Sequence, residues 1–170
     1  GIQLTMVMKQ IEQTLLNGAV IDNLNINDFT NLNENLKIML DYSLKDQLLY
    51  TENFSLFKIP LSKWSFDLVS LFIVFYYSNL ESRKYPMGIF SSFGTVQEEE
   101  IKIPSGFKIK SVPDKITLDY DNISLHMEAI PFADKLKFIS DFRIENNILK
   151  PKDYLDLKKM LKGLKNFQKS

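Results

Sequence analysis

The sequence predicts a mainly β, antiparallel fold flanked by a short N-terminal helix and a C-terminal amphipathic helix, and three observations carry that prediction. Apolar and polar residues alternate with period two through many short runs, first cleanly from Leu36 to Leu44. Turn-forming pairs such as Ser105–Gly106 and Asp121–Asn122 separate several of these runs. Beyond residue 150 the apolar spacing changes to that of a helix.

Taken in order, residues 5–17 read as a helix, because Val7, Ile11 and Leu15 recur at i+4 with Met8 on the same face. Gly18 stands where a left-handed cap would end it, so 1–18 is read as a helical extension and 19–170 as the β domain. From there Val20, Leu24 and Ile26 face one way and Asn23, Asn25 and Asn27 the other, with Ile21 and Asp22 blurring the start. Residues 27–35 are turn-rich in Asn, Asp and Thr. Leu36, Ile38, Leu40, Tyr42 and Leu44 then mark one buried face of a strand, and Phe54 and Leu56 a shorter strand ending at Ile59–Pro60. The run 64–80 fits two readings. Leu68, Phe72, Phe75 and Tyr76 make a helical stripe, while Val69, Leu71, Ile73 and Phe75 make a strand face, and periodicity does not decide between them.

After residue 94 the β signal is steady. Ile101 and Ile103 lead to Pro104, and Phe107 and Ile109 restart the alternation as far as Val112–Pro113. Ile116, Leu118 and Tyr120 oppose Ile123, Leu125 and Met127 across Asp121–Asn122 as a hairpin. Beyond Pro131, Leu136, Phe138, Phe142 and Ile144 share one face of a long strand. A helix over 151–167 closes the chain. Pro151 and Asp153 suit its first turn, lysines crowd its end, and Tyr154, Leu157, Leu161 and Leu164 form its apolar stripe beside Met160 and Phe167.

Composition removes whole classes of function. The 170 residues suffice for one domain that hides roughly 70% of its unfolded surface. Lys+Arg and Asp+Glu both number 21, so no bulk charge draws the chain to nucleic acid or an anionic membrane. There is no cysteine, which removes disulfides, thiolate metal sites and a cysteine nucleophile, and His126 is the single histidine. The apolar run Leu68–Tyr77 is far shorter than the ~20 residues of a membrane span. Ile2–Met8 lacks a basic start and a small-residue cleavage site, and the opening Gly without a Met suggests a piece of a longer protein.

Candidate chemistry is thin. His126 falls on the polar side of its strand between Leu125 and Met127, with no nucleophile elbow nearby. Glu98, Glu99 and Glu100, read as the approach to a strand, alternate faces there and cannot converge. Asp22, Asp28 and Glu34 lack calcium-loop spacing, and turn chemistry accounts for them. Lys158, Lys159, Lys162, Lys165 and Lys169 form the solvated side of the last helix. Gly88, Gly94 and Gly106 match no phosphate-binding loop. A carboxylate hydrolase would need two acids from different strands among Asp41, Asp67, Glu98, Asp119 and Asp141 to meet in a cleft. Trp64, Phe66, Tyr76, Tyr77 and Tyr85 are numerous enough to form a platform for carbohydrate or peptide, the rival to a purely structural role. No residue is assigned to catalysis, cofactor or metal.

Three patterns occur in succession: Arg83-Lys84-Tyr85-Pro86-Met87, then Ile101–Ile109 with Val112-Pro113, then Pro151-Lys152-Asp153-Tyr154-Leu155-Asp156-Leu157-Lys158. Their order resembles the C-terminal domain of unknown function that follows a transglutaminase-like, papain-like core in certain bacterial proteins. The likeness is strong over 83–170, looser over 36–65 and scarcely present over 1–35. It implies a fibronectin- or immunoglobulin-like β-sandwich, an extracytoplasmic setting, and a non-catalytic accessory role beside a core that supplies Cys-His-Asp chemistry. In that setting Arg83 tethers a loop carbonyl or carboxylate, and Tyr154 anchors the helix with its ring buried and its hydroxyl wet.

Overall fold

The computed structural model describes residues 19–28, 30–45, 48–52, 54–57, 79–89 and 91–167. The helix expected over 5–17, the Ile59–Pro60 strand end and all but the last two residues of 64–80 lie outside them. The chain divides into two compact units, Gly1–Leu61 and Ser62–Ser170, a boundary the sequence reading did not draw.

In the first unit, β1 (Ala19–Ile26) pairs antiparallel with β2 (Ile38–Leu44), and β3 (Leu48–Tyr50) with β4 (Ser55–Phe57). The blur at Ile21–Asp22 has a physical cause, since the register shifts between Ile21 and Asn23. A bulge reverses which residues face inward. Ala19 and Ile21 are therefore buried before it, Leu24 pairs with Leu40 after it, and Val20, expected inside, is exposed. Leu40, Tyr42 and Leu44 pack against Ala19 and Ile21 as the alternation requires, but Leu36 and Ile38 are exposed. The connection between β1 and β2 is built from turn chemistry. The Asp28 carboxylate accepts hydrogen bonds from the Thr30 backbone N–H at 2.9 Å and its hydroxyl at 2.6 Å, and these hold its pKa below the usual value.

In the second unit, β5 (Met87–Gly88) precedes β6 (Phe93–Lys102), β7 (Ile116–Asp119), β8 (Ile123–Pro131), β9 (Lys135–Ile144), β10 (Ile148–Leu149) and α1 (Pro151–Phe167). Four of these strands form an antiparallel sheet in the order β6–β9–β8–β7, and β10 pairs with β5. The hairpin at Asp121–Asn122 forms as expected, with Leu118 opposite Leu125 and the Tyr120 N–H donating to the Ile123 carbonyl at 3.0 Å. Gly106 has φ +89 and the Phe107 N–H reaches the Pro104 carbonyl at 3.1 Å, the tight turn that Ser105–Gly106 announced. Residues 107–112, expected as a strand, carry no strand pairing. Alternation alone supplies no ladder partner, and prolines at 104 and 113 bracket the segment.

Helix α1 spans the expected residues, and its stripe of Tyr154, Leu157, Met160, Leu161, Leu164 and Phe167 is buried. It packs on β7, β8 and β10, so a helix lies over that side of the sheet. At its start the Asp153 carboxylate accepts the Lys150 N–H at 2.8 Å, reaching back as the third helical residue of a capping box does. Its other oxygen accepts from the Asn122 amide at 3.0 Å, which ties the helix to the β7–β8 turn. Helix and sheet meet closely at Gly163, where an added Cβ would stand 3.0 Å from Leu118 Cδ1. The fold is thus mainly β, antiparallel, with one C-terminal helix.

Candidate functional site

Alternation gives the four-stranded sheet two unlike faces. One carries Leu118, Leu125, Phe142 and Thr95 across a row, with Ile123, Met127, Ala129, Leu136, Phe138 and Ile144 around them, and it is the face that α1 meets. Phe138 stacks at 5.8 Å from Phe167 of the helix, and Phe142 at 5.7 Å from Phe93. The opposite face is polar and half-buried to exposed, and it holds the one histidine.

His126 sits in the row Thr117–His126–Asp141–Val96. Its Nδ1 lies 3.4 Å from the Thr117 hydroxyl and its Nε2 3.5 Å from Glu128 Oε2. A hydroxyl, an imidazole and a carboxylate thus stand side by side, the residue types of a nucleophilic triad. A working triad holds its members within about 2.6–3.2 Å. Both contacts are longer, and the same Glu128 oxygen is drawn to Lys115 at 3.5 Å. The strand placement of His126 is as expected. Thr117 as its neighbour was overlooked, although a two-residue turn at Asp121–Asn122 already fixes that register.

The rest of the face is a ladder of ion pairs. Lys137 meets Glu98 at 2.9 Å and Lys135 meets Glu100 at 3.0 Å, while Arg143 grips Asp141 through Nε at 2.8 Å and Nη2 at 2.9 Å. Hydrogen bonding and charge from Lys135 hold the Glu100 carboxyl below its ordinary pKa. The same effects, from Glu98 and Asp141, push Lys137 and Arg143 up. Glu98 and Glu100 share this face while Glu99 points to the other and is buried, so the three carboxylates do not converge. They lie within β6, where the sequence reading had them preceding a strand.

Asp41 lies in the first unit and accepts from the Asn23 amide at 3.4 Å, Asp119 is exposed on β7, and Asp67 is outside the described residues. Among the described residues no group of three or more His, Asp or Glu side chains is placed to hold a metal ion. Of the aromatics named as a platform, Tyr85 is exposed with the Lys84 ammonium 5.7 Å from its ring centre. Trp64, Phe66, Tyr76 and Tyr77 lie outside the described residues.

The motifs from residue 83 onward meet at the helix. The Arg83 guanidinium lies 5.0 Å over the Tyr154 ring. The Tyr154 ring is buried as expected, but its hydroxyl is not left to water: it donates to the Leu80 carbonyl at 2.6 Å. Lys158 Nζ donates to the same oxygen at 2.7 Å. The R-x-x-P segment and the helix start are therefore one structural assembly. The model of a family described as a domain of unknown function with a solved structure, DUF3858, matches residues 68–170. The chain belongs to that family. The DUF3858 match takes in β5 to β10 and α1, so the sheet, its polar face and the Arg83–Tyr154 contact are all parts of the family's domain. Neither a curated protein nor a solved structure matches the chain. No helix among the described residues is long and apolar enough to cross a membrane.

Proposed function

We propose that this chain is a non-catalytic accessory module of a larger extracytoplasmic protein, where it supports a transglutaminase-like core in the same polypeptide. The observation that carries the reading is the state of the polar face. Each of Glu98, Glu100, Glu128 and Asp141 already has a cation beside it, so the face has the makeup of a solvated, load-sharing surface. A general acid or base works by being held ready for a substrate proton, and paired surface carboxylates are a poor source of one. The chain also has no cysteine with which to perform papain-like chemistry itself.

The test uses the upstream reading frame and the protein it encodes. A cysteine-bearing core is expected there, and deleting this chain from the full-length protein is expected to lower the core's thermal midpoint or its turnover. A gene without such a core, or a core indifferent to the deletion, would sink the proposal. So would turnover by the isolated chain that His126→Gln abolishes.

A further inference from the structure

Residues 79–89 are held at two places, one on helix α1 and one on β10. At the first, the Leu80 carbonyl accepts the Tyr154 hydroxyl at 2.6 Å and the Lys158 ammonium at 2.7 Å, two donors spaced i,i+4 on one face of α1. The Arg83 guanidinium lies over the Tyr154 ring beside them. At the second, Met87–Gly88 pairs with Ile148–Leu149, and the Ile89 N–H donates to the Asn147 carbonyl at 2.8 Å. Lys84, Tyr85 and Pro86, between the two, are exposed. An added Cβ at Gly88 would meet nothing within 4 Å.

We propose that residues 79–89 form a strap that opens as one unit while the four-stranded sheet stays folded, and that the Leu80 carbonyl is its latch. A segment opens locally when few of its apolar side chains are sealed and much of its backbone lies near solvent. Met87 and Ile89 are the buried residues of this stretch, and the ladder that holds them is two residues long, whereas β6 and β9 pair over ten. The Leu80 side chain is exposed, so its carbonyl, not its side chain, fastens that end to the helix. On the helix side the contact is sealed, with the Tyr154 ring fully buried under Arg83. Opening therefore uncovers Tyr154 at one end and, at the other, Leu149, which is fully buried opposite Met87. One main-chain oxygen thus governs access to two apolar side chains at the start of α1.

Native-state hydrogen exchange of the full chain, followed amide by amide at rising denaturant, is the test. The Ile89 amide is the reporter, because its acceptor is the Asn147 carbonyl and it lies at the far end of the strap from Leu80. It is expected to exchange at least about tenfold faster than the slowest amides of β8 and β9, and with a much weaker dependence on denaturant, since a strap exposes little surface. Y154F/K158M removes both donors to Leu80 and keeps their apolar stems. In that variant Ile89 is expected to exchange about tenfold faster than in the parent, with the weak dependence kept. An Ile89 amide that shares the rate and the denaturant slope of β8 and β9 overturns the strap. A local Ile89 opening that Y154F/K158M leaves unchanged overturns the latch. If the double variant does not fold, K158M alone gives the same readings at smaller amplitude.

Discussion

The two units spend the same kind of residue differently. In the second, Phe138, Phe142, Met127, Tyr154, Leu149 and Met160 are sealed completely, and one face of a four-stranded sheet is buried. In the first, Ala19 and Ile21 are the described residues that reach burial, while Leu49 and Leu56, directly opposed on β3 and β4, both remain exposed. Strand content does not explain the difference, because β1 and β2 run for eight and seven residues. What differs among the described residues is the helix α1, which lies over the sheet of the second unit. A two-stranded ribbon is marginal in water, and stability comes when further strands or a helix cover its apolar face. Hairpin formation and core formation are separate achievements, and among the described residues the larger core is in the second unit.

Native-state hydrogen exchange is the largest lever on that comparison. Amides of β8 and β9 are expected to exchange near the global limit, several kcal/mol slower than those of β3 and β4, which open locally. Equal protection in both units would break the contrast. Next comes a matched pair of truncations: Phe138→Ala is expected to cost about 3–5 kcal/mol by denaturant unfolding. Leu56→Ala, at an exposed position, is expected to stay within about 0.5 kcal/mol of the parent.

Asp153→Ala removes the carboxylate shared by the Lys150 N–H and the Asn122 amide, and a loss of about 1–2 kcal/mol is expected. Ser140→Ala runs the other way. The Ser140 hydroxyl is buried on the covered face without a hydrogen-bond partner among the described residues, so its removal is expected to be neutral or to stabilise by up to about 1 kcal/mol. A clear loss in the unfolding midpoint would show that the hydroxyl is satisfied.

The smallest effect is in pH. Lys135 lowers the pKa of Glu100 from 4.5, and Lys152 that of Asp121 from 3.8, chiefly by hydrogen bonds. A carboxyl whose folded pKa is depressed stabilises the fold above its unfolded value and loses that contribution as pH falls through the folded one. The acid limb of the stability profile is therefore expected to begin below about pH 4.5 and to flatten slightly in Lys135→Gln and Lys152→Gln. Both carboxylates are fully exposed and screened, so a variant profile steeper than the parent's would contradict the assignment.

Much of the second unit was legible in local signals. Pro151, Asp153 and the stripe from Tyr154 to Phe167 specify a helix wherever they are placed, and Asp121–Asn122 between two alternating runs specifies a hairpin and thus the neighbours of His126. Turn chemistry at Asp28 and Gly106 is local too, since each acts on residues two or three positions away. The polar face was legible as polar, but its pairing was not, because Lys137 and Glu98 are brought together by strand register across many intervening residues.

What the sequence determined by itself was the set of elements whose hydrogen bonds close within a few residues, together with the absence of cysteine chemistry. Tertiary structure alone decided that 107–112 would form no strand and that a bulge at Ile21–Asn23 would turn Val20 outward. It also decided that β6 would stand at the end of the described strand order and that the Tyr154 hydroxyl would find the Leu80 carbonyl. The reason is common to all four. A strand, a bulge, an edge or a buried hydroxyl is defined by the partner it meets, and that partner is chosen by packing between distant segments.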